Sequence, residues 1–203
     1  MTARASATHR TFVQDARRSQ LIDCAIAVIA DVGVDRASIV RIAERAKVSR
    51  GVISYHFDDR DELFDGVVLA VYDLASREVG PGVTTATTPA GALAAFIDGS
   101  IAFYAKYPRH MLALSAIFAS GRAFPQRARE NRGEHAAEML EVESILSAGK
   151  RDGSFRDFDT SIMATTLRAA LDSTLRRVVA GDSPSKLSVE LRKTFEAATA
   201  REK

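Results

Sequence analysis

Between Ser38 and Arg60 the chain reads SIVRIAERAKVSRGVISYHFDDR, and its hydrogen-bond donors crowd toward one end. Ser49, Arg50, Ser54, Tyr55 and His56 fall within eight residues, and none stands in a nucleophile–base arrangement. Donors at this density suit a partner rich in acceptors. A guanidinium such as Arg50 reaches the paired acceptors of guanine or clamps a phosphate. Ser49 is placed to cap a short helix whose free amides can face a phosphate. Gly51 leaves clearance where a duplex comes near. Val52 can touch a thymine methyl, and Ser54 can reach a base edge. Tyr55 and His56 can donate to phosphates, Arg60 adds a further cation, and Ile53 and Phe57 turn inward. The competing reading is a helical hairpin inside a core, with Tyr55 and His56 as satisfied, partly buried groups. Two short helices with so many donors at one end fit that reading poorly.

Positioning these side chains requires short helices that cross closely. Ser38 can cap a helix over 38–46 with Ile39, Ile42, Ala43 and Ala46 on its inner face. A second helix follows at about 49–55. Ala43 is small where two helices must approach, and Val48 can plug the angle between them. That is the pattern of a helix-turn-helix, which presents the start of its second helix to the DNA major groove. Before it, Leu21, Ala25, Val28 and Ile29 predict a helix from about Asp15, closed by Gly33. After it, DDRDELFDGVVLAVYDLASREV opens with acids, which favour a helix start, and continues with Leu63, Val67, Val71 and Leu74 at helical spacing.

The stretch from Arg17 to Tyr72 resembles the N-terminal domain of the TetR family of bacterial transcriptional regulators. IAERAKVSRGVISYHF and the following FDDRDEL carry the likeness, and Ser38 matches the serine or threonine that opens the family's second helix. Lys47 replaces the usual glycine of the turn, where a lysine can add a phosphate contact. Ser54 stands where many members have tyrosine, and Arg60 where most have lysine. The resemblance implies an all-α fold that binds double-stranded operator DNA. The expected organisation is a flexible basic arm over 1–14, the helix-turn-helix domain over 15–62, and a ligand-binding and dimerisation domain over 63–203.

Elsewhere the periodicity is helical throughout, giving about nine helices and no convincing strand. All five prolines, at 81, 89, 108, 125 and 184, fall at expected breaks. PGVTTATTP reads as a linker and GKRDGSFRDFD as a turn between long helices. Among 203 residues, 46% are hydrophobic and 27% charged, which is ordinary for a globular chain. Residues 1–60 hold 10 Lys and Arg against 7 Asp and Glu, so the positive excess is N-terminal. A single cysteine, Cys24, excludes an internal disulfide and a multi-cysteine zinc site. No apolar run nears the ~18 residues of a membrane span, and no signal-like core opens the chain, so a cytoplasmic location is expected. Di-iron bundles need Glu-x-x-His pairs, and neither these nor a phosphate loop or nucleophile elbow occurs. No enzyme, cofactor, catalytic residue or metal site is expected.

For the remaining two-thirds, the resemblance implies a homodimer that takes a small-molecule inducer. Helices over about 157–180 and 184–201 carry Leu167, Leu171, Leu175 and Val178, then Leu187, Leu191 and Phe195. Such a pair matches the family's dimer interface, an intramolecular core being the alternative. Phe96, Ser100, Phe103 and Tyr107 share a helical face, with Met111, Leu114 and Phe118 following; they can line a cavity or simply form core. Glu143 falls on the face of Met139, Val142 and Leu146, where a carboxylate needs a protein cation or a cationic ligand. The inducer itself is not named by the sequence; a cationic or aromatic one is the expectation. The alternative function is a helical small-molecule-binding or scaffold protein without DNA binding.

Overall fold

The computed structural model describes residues 2–120 and 128–201, with side chains described from Gln14 and again from Met139. Nine helices run through these residues: α1 (Thr2–Val32), α2 (Ile39–Ala46), α3 (Arg50–His56), α4 (Arg60–Thr85), α5 (Pro89–Lys106), α6 (Pro108–Ala119), α7 (Ala128–Arg151), α8 (Thr160–Val179) and α9 (Pro184–Thr199). The only extended pairing among the described residues is a bridge between Phe155 and Ala200. The fold is all-α, as the periodicity requires. Helix α1 begins at Thr2, not near Asp15, so helix occupies the stretch expected to be a flexible arm. Pro125 lies outside the described residues.

The chain divides into two compact units, Met1–Val71 with Arg109–Ala128, and Tyr72–Pro108 with Arg129–Lys203. The boundary thus falls within α4, nine residues beyond the expected position at 62, and the first unit recruits α6. In that unit the apolar stripe of α1 (Leu21, Ala25, Ile29) is fully buried, as are Ile42 and Ala43 of α2 and Leu63, Phe64 and Val67 of α4. Burying each large apolar side chain contributes about 1.5–3 kcal/mol, which holds the short helices α2 and α3 in place. Gly66 permits a close approach here: a Cβ would lie 3.2 Å from Ile22 and 3.5 Å from the Phe57 ring.

Local signals set the joints. Gly33 has φ 77° and donates to the Ile29 carbonyl at 2.8 Å, ending α1. Ser38 caps α2, its hydroxyl accepting from the Arg41 amide at 3.3 Å. Lys47 then takes φ 55°, the one non-glycine residue with positive φ among those described. Its amide donates to the Glu44 carbonyl and that of Val48 to Ala43, closing α2 with a Schellman turn. A glycine adopts that left-handed conformation without penalty, whereas Lys47 adopts it at a steric cost. Asp31, at the end of α1, meets Arg45 of α2 at 3.3 Å and Arg109 of α6 at 3.6 Å.

In the second unit α5 packs against both α8 and α9. Thr88 and Ser183 cap α5 and α9 just ahead of Pro89 and Pro184, which open the two helices. Pro81 does not break α4; it sits in the exposed last turns. Proline removes only its own N–H there, while Thr84 and Thr85 hydroxyls donate to the Gly80 and Pro81 carbonyls. The expected linker 81–89 is thus mostly helix. Leu167, Leu171, Leu175, Leu187 and Phe195, expected at a dimer interface, are buried within one chain and offer a partner no surface. Periodicity marks a buried face without saying what buries it. Val178 and Leu191 are half-buried, and the outward side chains are Ile162 (68% exposed), Val179 and Val189.

Candidate nucleic-acid interface

Helix α3 is seven residues long and sorted by side. Ile53 and Phe57, four apart, are 1% and 2% exposed, whereas Ser49, Arg50, Gly51, Ser54 and Tyr55 face solvent. Val52 and His56 are half-buried at the edges. The polar set is therefore a coherent outward surface on an apolar root, which the core-hairpin reading does not produce. Ser49 occupies the N-cap position, but its hydroxyl makes no capping bond.

Gly51 is informative because nothing inside the protein demands it. Its φ is not positive, and an added Cβ would meet only the Ser49 hydroxyl, at 3.6 Å. Glycine in a helix costs roughly 0.5–1 kcal/mol relative to alanine. The want of an internal reason directs attention to whatever approaches from outside.

A clamp that the sequence reading did not identify fixes the far end of α3. Arg18 of α1 donates through Nη1 to the His56 carbonyl, meets Glu62 at 3.3 Å and lies over the Phe57 ring at 4.1 Å. A cation at a helix C-terminus satisfies an unpaired carbonyl and opposes the negative end of the dipole. Glu62 is itself tied down: it accepts from the Asp58 amide at 2.6 Å, while its amide donates to Asp59 at 2.7 Å. The two bonds start α4 much as a capping box does, except that the return bond comes from the residue before the cap. Arg18 was legible only as part of a basic N-terminus. The signal that could have found it is its position three residues before Leu21, on the apolar stripe.

One other position differs from expectation. Arg60 is not a free outward cation: its guanidinium lies 5.3 Å from the Phe64 ring centroid, pairs with Asp61 at 3.9 Å, and is mostly covered. Ser38 commits its hydroxyl to capping α2. Lys47 is exposed in the turn, as a phosphate contact would need.

The residues expected to line a ligand pocket are less coherent. Met111, Leu114 and Phe118 belong to the first unit and Phe96, Ser100, Phe103, Tyr107, Met139 and Glu143 to the second. Phe96, Ser100, Phe103, Met111 and Leu114 are buried, but Phe118 is 46% exposed, on the outer side of α6. Tyr107 donates to Glu78 at 2.7 Å, and Lys106 meets the same carboxylate at 2.9 Å. These bonds hold the Glu78 carboxyl below its ordinary range and raise the Lys106 ammonium. Met139 and Glu143 are half-buried. A partly open cavity of about 200 Å³ lies within the second unit, between Leu93 and Ile97 of α5 and Phe155, Arg192 and Phe195; none of the expected pocket residues lines it.

Residues 21–67 match the family model described as bacterial regulatory proteins, tetR family. The chain is 38% identical over 90 residues to the HTH-type transcriptional regulator BetI of Pectobacterium carotovorum, covering 43% of this chain and 46% of that one. It is 33% identical over 124 residues to BetI of Cronobacter sakazakii, covering 59% and 60%. The chain thus spans about half the length of the curated relatives it matches. Its fold is similar to that of the ketosteroid transcriptional regulator KstR2 of Mycobacterium tuberculosis, with TM-score 0.77, 18% identity and coverage of 92% and 96%. It is also similar to the fatty acid degradation regulator FadR of Bacillus halodurans, with TM-score 0.74, 18% identity and coverage of 87% and 93%.

Proposed function

We propose that this chain, which belongs through residues 21–67 to the tetR family of bacterial regulatory proteins, is a homodimeric transcriptional repressor released from its operator by a small molecule. The observation that carries the reading is the sorting of α3, with Ser49, Arg50, Gly51, Ser54 and Tyr55 outward over a buried Ile53 and Phe57. Two copies presenting α3 about one duplex turn apart, ~34–36 Å, would read a pseudo-palindromic site. The outward apolar side chains of α8 and α9, Ile162, Val179 and Val189, support association better than the buried leucines do. A protein that works on chromosomal DNA belongs in the cytoplasm.

Release requires a ligand with different affinities for the DNA-competent and incompetent states. The regulators of similar fold carry names tied to ketosteroids and fatty acid degradation, which supports an apolar or aromatic inducer. Glu143, beside Val142 and Leu146 on α7, is the proposed anchor should the inducer carry positive charge. Glu143→Gln then weakens induction by cationic compounds and leaves DNA affinity intact; unchanged induction removes Glu143 from the pocket.

A salt-titrated gel shift on DNA from upstream of the protein's own gene tests the reading. Arg50→Ala lowers specific affinity by roughly 1–3 kcal/mol if Arg50 reads a base. An equal loss on every sequence, with the salt slope smaller by about one, assigns it to a phosphate. Absence of binding at low salt, to that DNA and to any selected sequence, refutes the proposal.

A further inference from the structure

We infer that Gln14 is a positioning residue which, through Tyr55, builds a phosphate-binding corner between α1 and α3. The inference deepens the DNA-binding reading and rests on it. Gln14 and Tyr55 are 41 residues apart in sequence, yet the Gln14 Nε2 donates to the Tyr55 hydroxyl at 2.8 Å. Tyr55 is 71% exposed, the most exposed large apolar or aromatic side chain among the described residues. A tyrosine so placed ordinarily samples several rotamers and loses that freedom only when something holds it. Here two contacts do: Gln14 at the hydroxyl, and the His56 ring edge-on at 5.1 Å and 89°.

The direction of the hydrogen bond decides what the corner can take. Because the Tyr55 oxygen accepts from Gln14, its own proton remains to be given outward. A hydroxyl that accepts one hydrogen bond donates a second more strongly. One neutral donor is therefore held at an exposed point, one helical turn from Gly51, where no side chain obstructs approach. That demand matches a phosphate oxygen. A base edge is a poorer match, because recognition helices read bases from their N-terminal end and Tyr55 stands near the C-terminal end of α3. Arg18 holds that end of the helix through the His56 carbonyl, so the corner has a fixed floor.

A double-mutant cycle on a random-sequence duplex at low salt tests this, since phosphate contacts are independent of sequence. Gln14→Ala weakens duplex binding about three- to ten-fold, the equivalent of one hydrogen bond. It leaves the melting temperature and the salt slope unchanged, because it removes no charge and no buried group. Tyr55→Phe weakens binding by a similar factor, and the double variant binds no more weakly than Tyr55→Phe alone. The inference is overturned by wild-type affinity in Gln14→Ala, by an undiminished Gln14→Ala loss in the Tyr55→Phe background, or by a loss that tracks a lowered melting temperature. If the unsubstituted protein fails to bind the duplex at all, the DNA-binding reading falls instead.

Discussion

The Arg18 guanidinium rests 4.1 Å from the centroid of the Phe57 ring while one of its nitrogens serves the carbonyl of His56. A residue of α1 thereby holds both the last turn of α3 and the ring that anchors it. Arg18→Ala is expected to lower stability by about 1–2 kcal/mol, combining a charge-assisted hydrogen bond with a partly exposed cation–π contact. DNA affinity should fall with it, but the salt slope should hold, since Arg18 is engaged within the protein. Urea unfolding and salt-titrated binding measure the two parts. A reduced slope would place Arg18 on a phosphate.

Gly51 offers a trade between folding and binding. With space around an added Cβ, Gly51→Ala should raise stability by roughly 0.5–1 kcal/mol through helix propensity. The same methyl stands on the outward face of α3 and should weaken duplex binding. A variant that is both more stable and equally tight in binding would show that the glycine serves no partner.

Lys47 presents the opposite balance. At φ 55° it bears a left-handed strain that glycine would not. Lys47→Gly should stabilise the protein by roughly 0.5–1 kcal/mol, the relief being partly offset by the greater freedom of glycine in the unfolded chain. If the ammonium meets a phosphate, the salt slope should drop by about one. Thermal unfolding alongside salt titration separates the gains and losses.

His110, half-buried on α6, gives a pH dependence. Burial pushes its imidazole below the ordinary value of 6.5, and Asp23 pulls the other way. With the folded value depressed, the unfolded chain binds the proton first as pH falls. Its contribution to stability is thus complete above 6.5 and is lost as pH descends through the folded value. Urea unfolding from about pH 7 to about pH 5 should show a shallower decline in His110→Gln than in the unsubstituted protein. Identical profiles would exclude His110 as the source.

Legibility followed the range of the interactions involved. The inward turn of Ile53 and Phe57, the cap at Ser38 and the stop at Gly33 were readable because each depends on residues within one helical turn. Arg18 and Gln14 were not, since their partners lie 38 to 44 residues away and nothing local distinguishes a clamping arginine from a solvated one. The buried Leu167 and Leu171 show a second limit. An amphipathic stripe announces burial, but whether the cover is the same chain or another copy depends on tertiary packing. Arg60 shows a third, because a cation four residues before a ring was read by its charge, whereas its guanidinium lies over Phe64. Pro81 erred in the other direction: a residue that usually ends helices was tolerated near an exposed terminus.

In the second unit the turn after α7 returns Phe155 to Gly149, with the Phe155 amide donating to the Gly149 carbonyl at 2.8 Å. A Cβ on Gly149 would clash with the Phe155 ring, 2.2 Å from its nearest carbon. The two positions therefore form a single choice: a methyl at 149 requires a smaller side chain at 155, and the ring at 155 requires hydrogen at 149. Across diverged copies of this protein they should covary as a pair, so that a change at one position is found with a compensating change at the other.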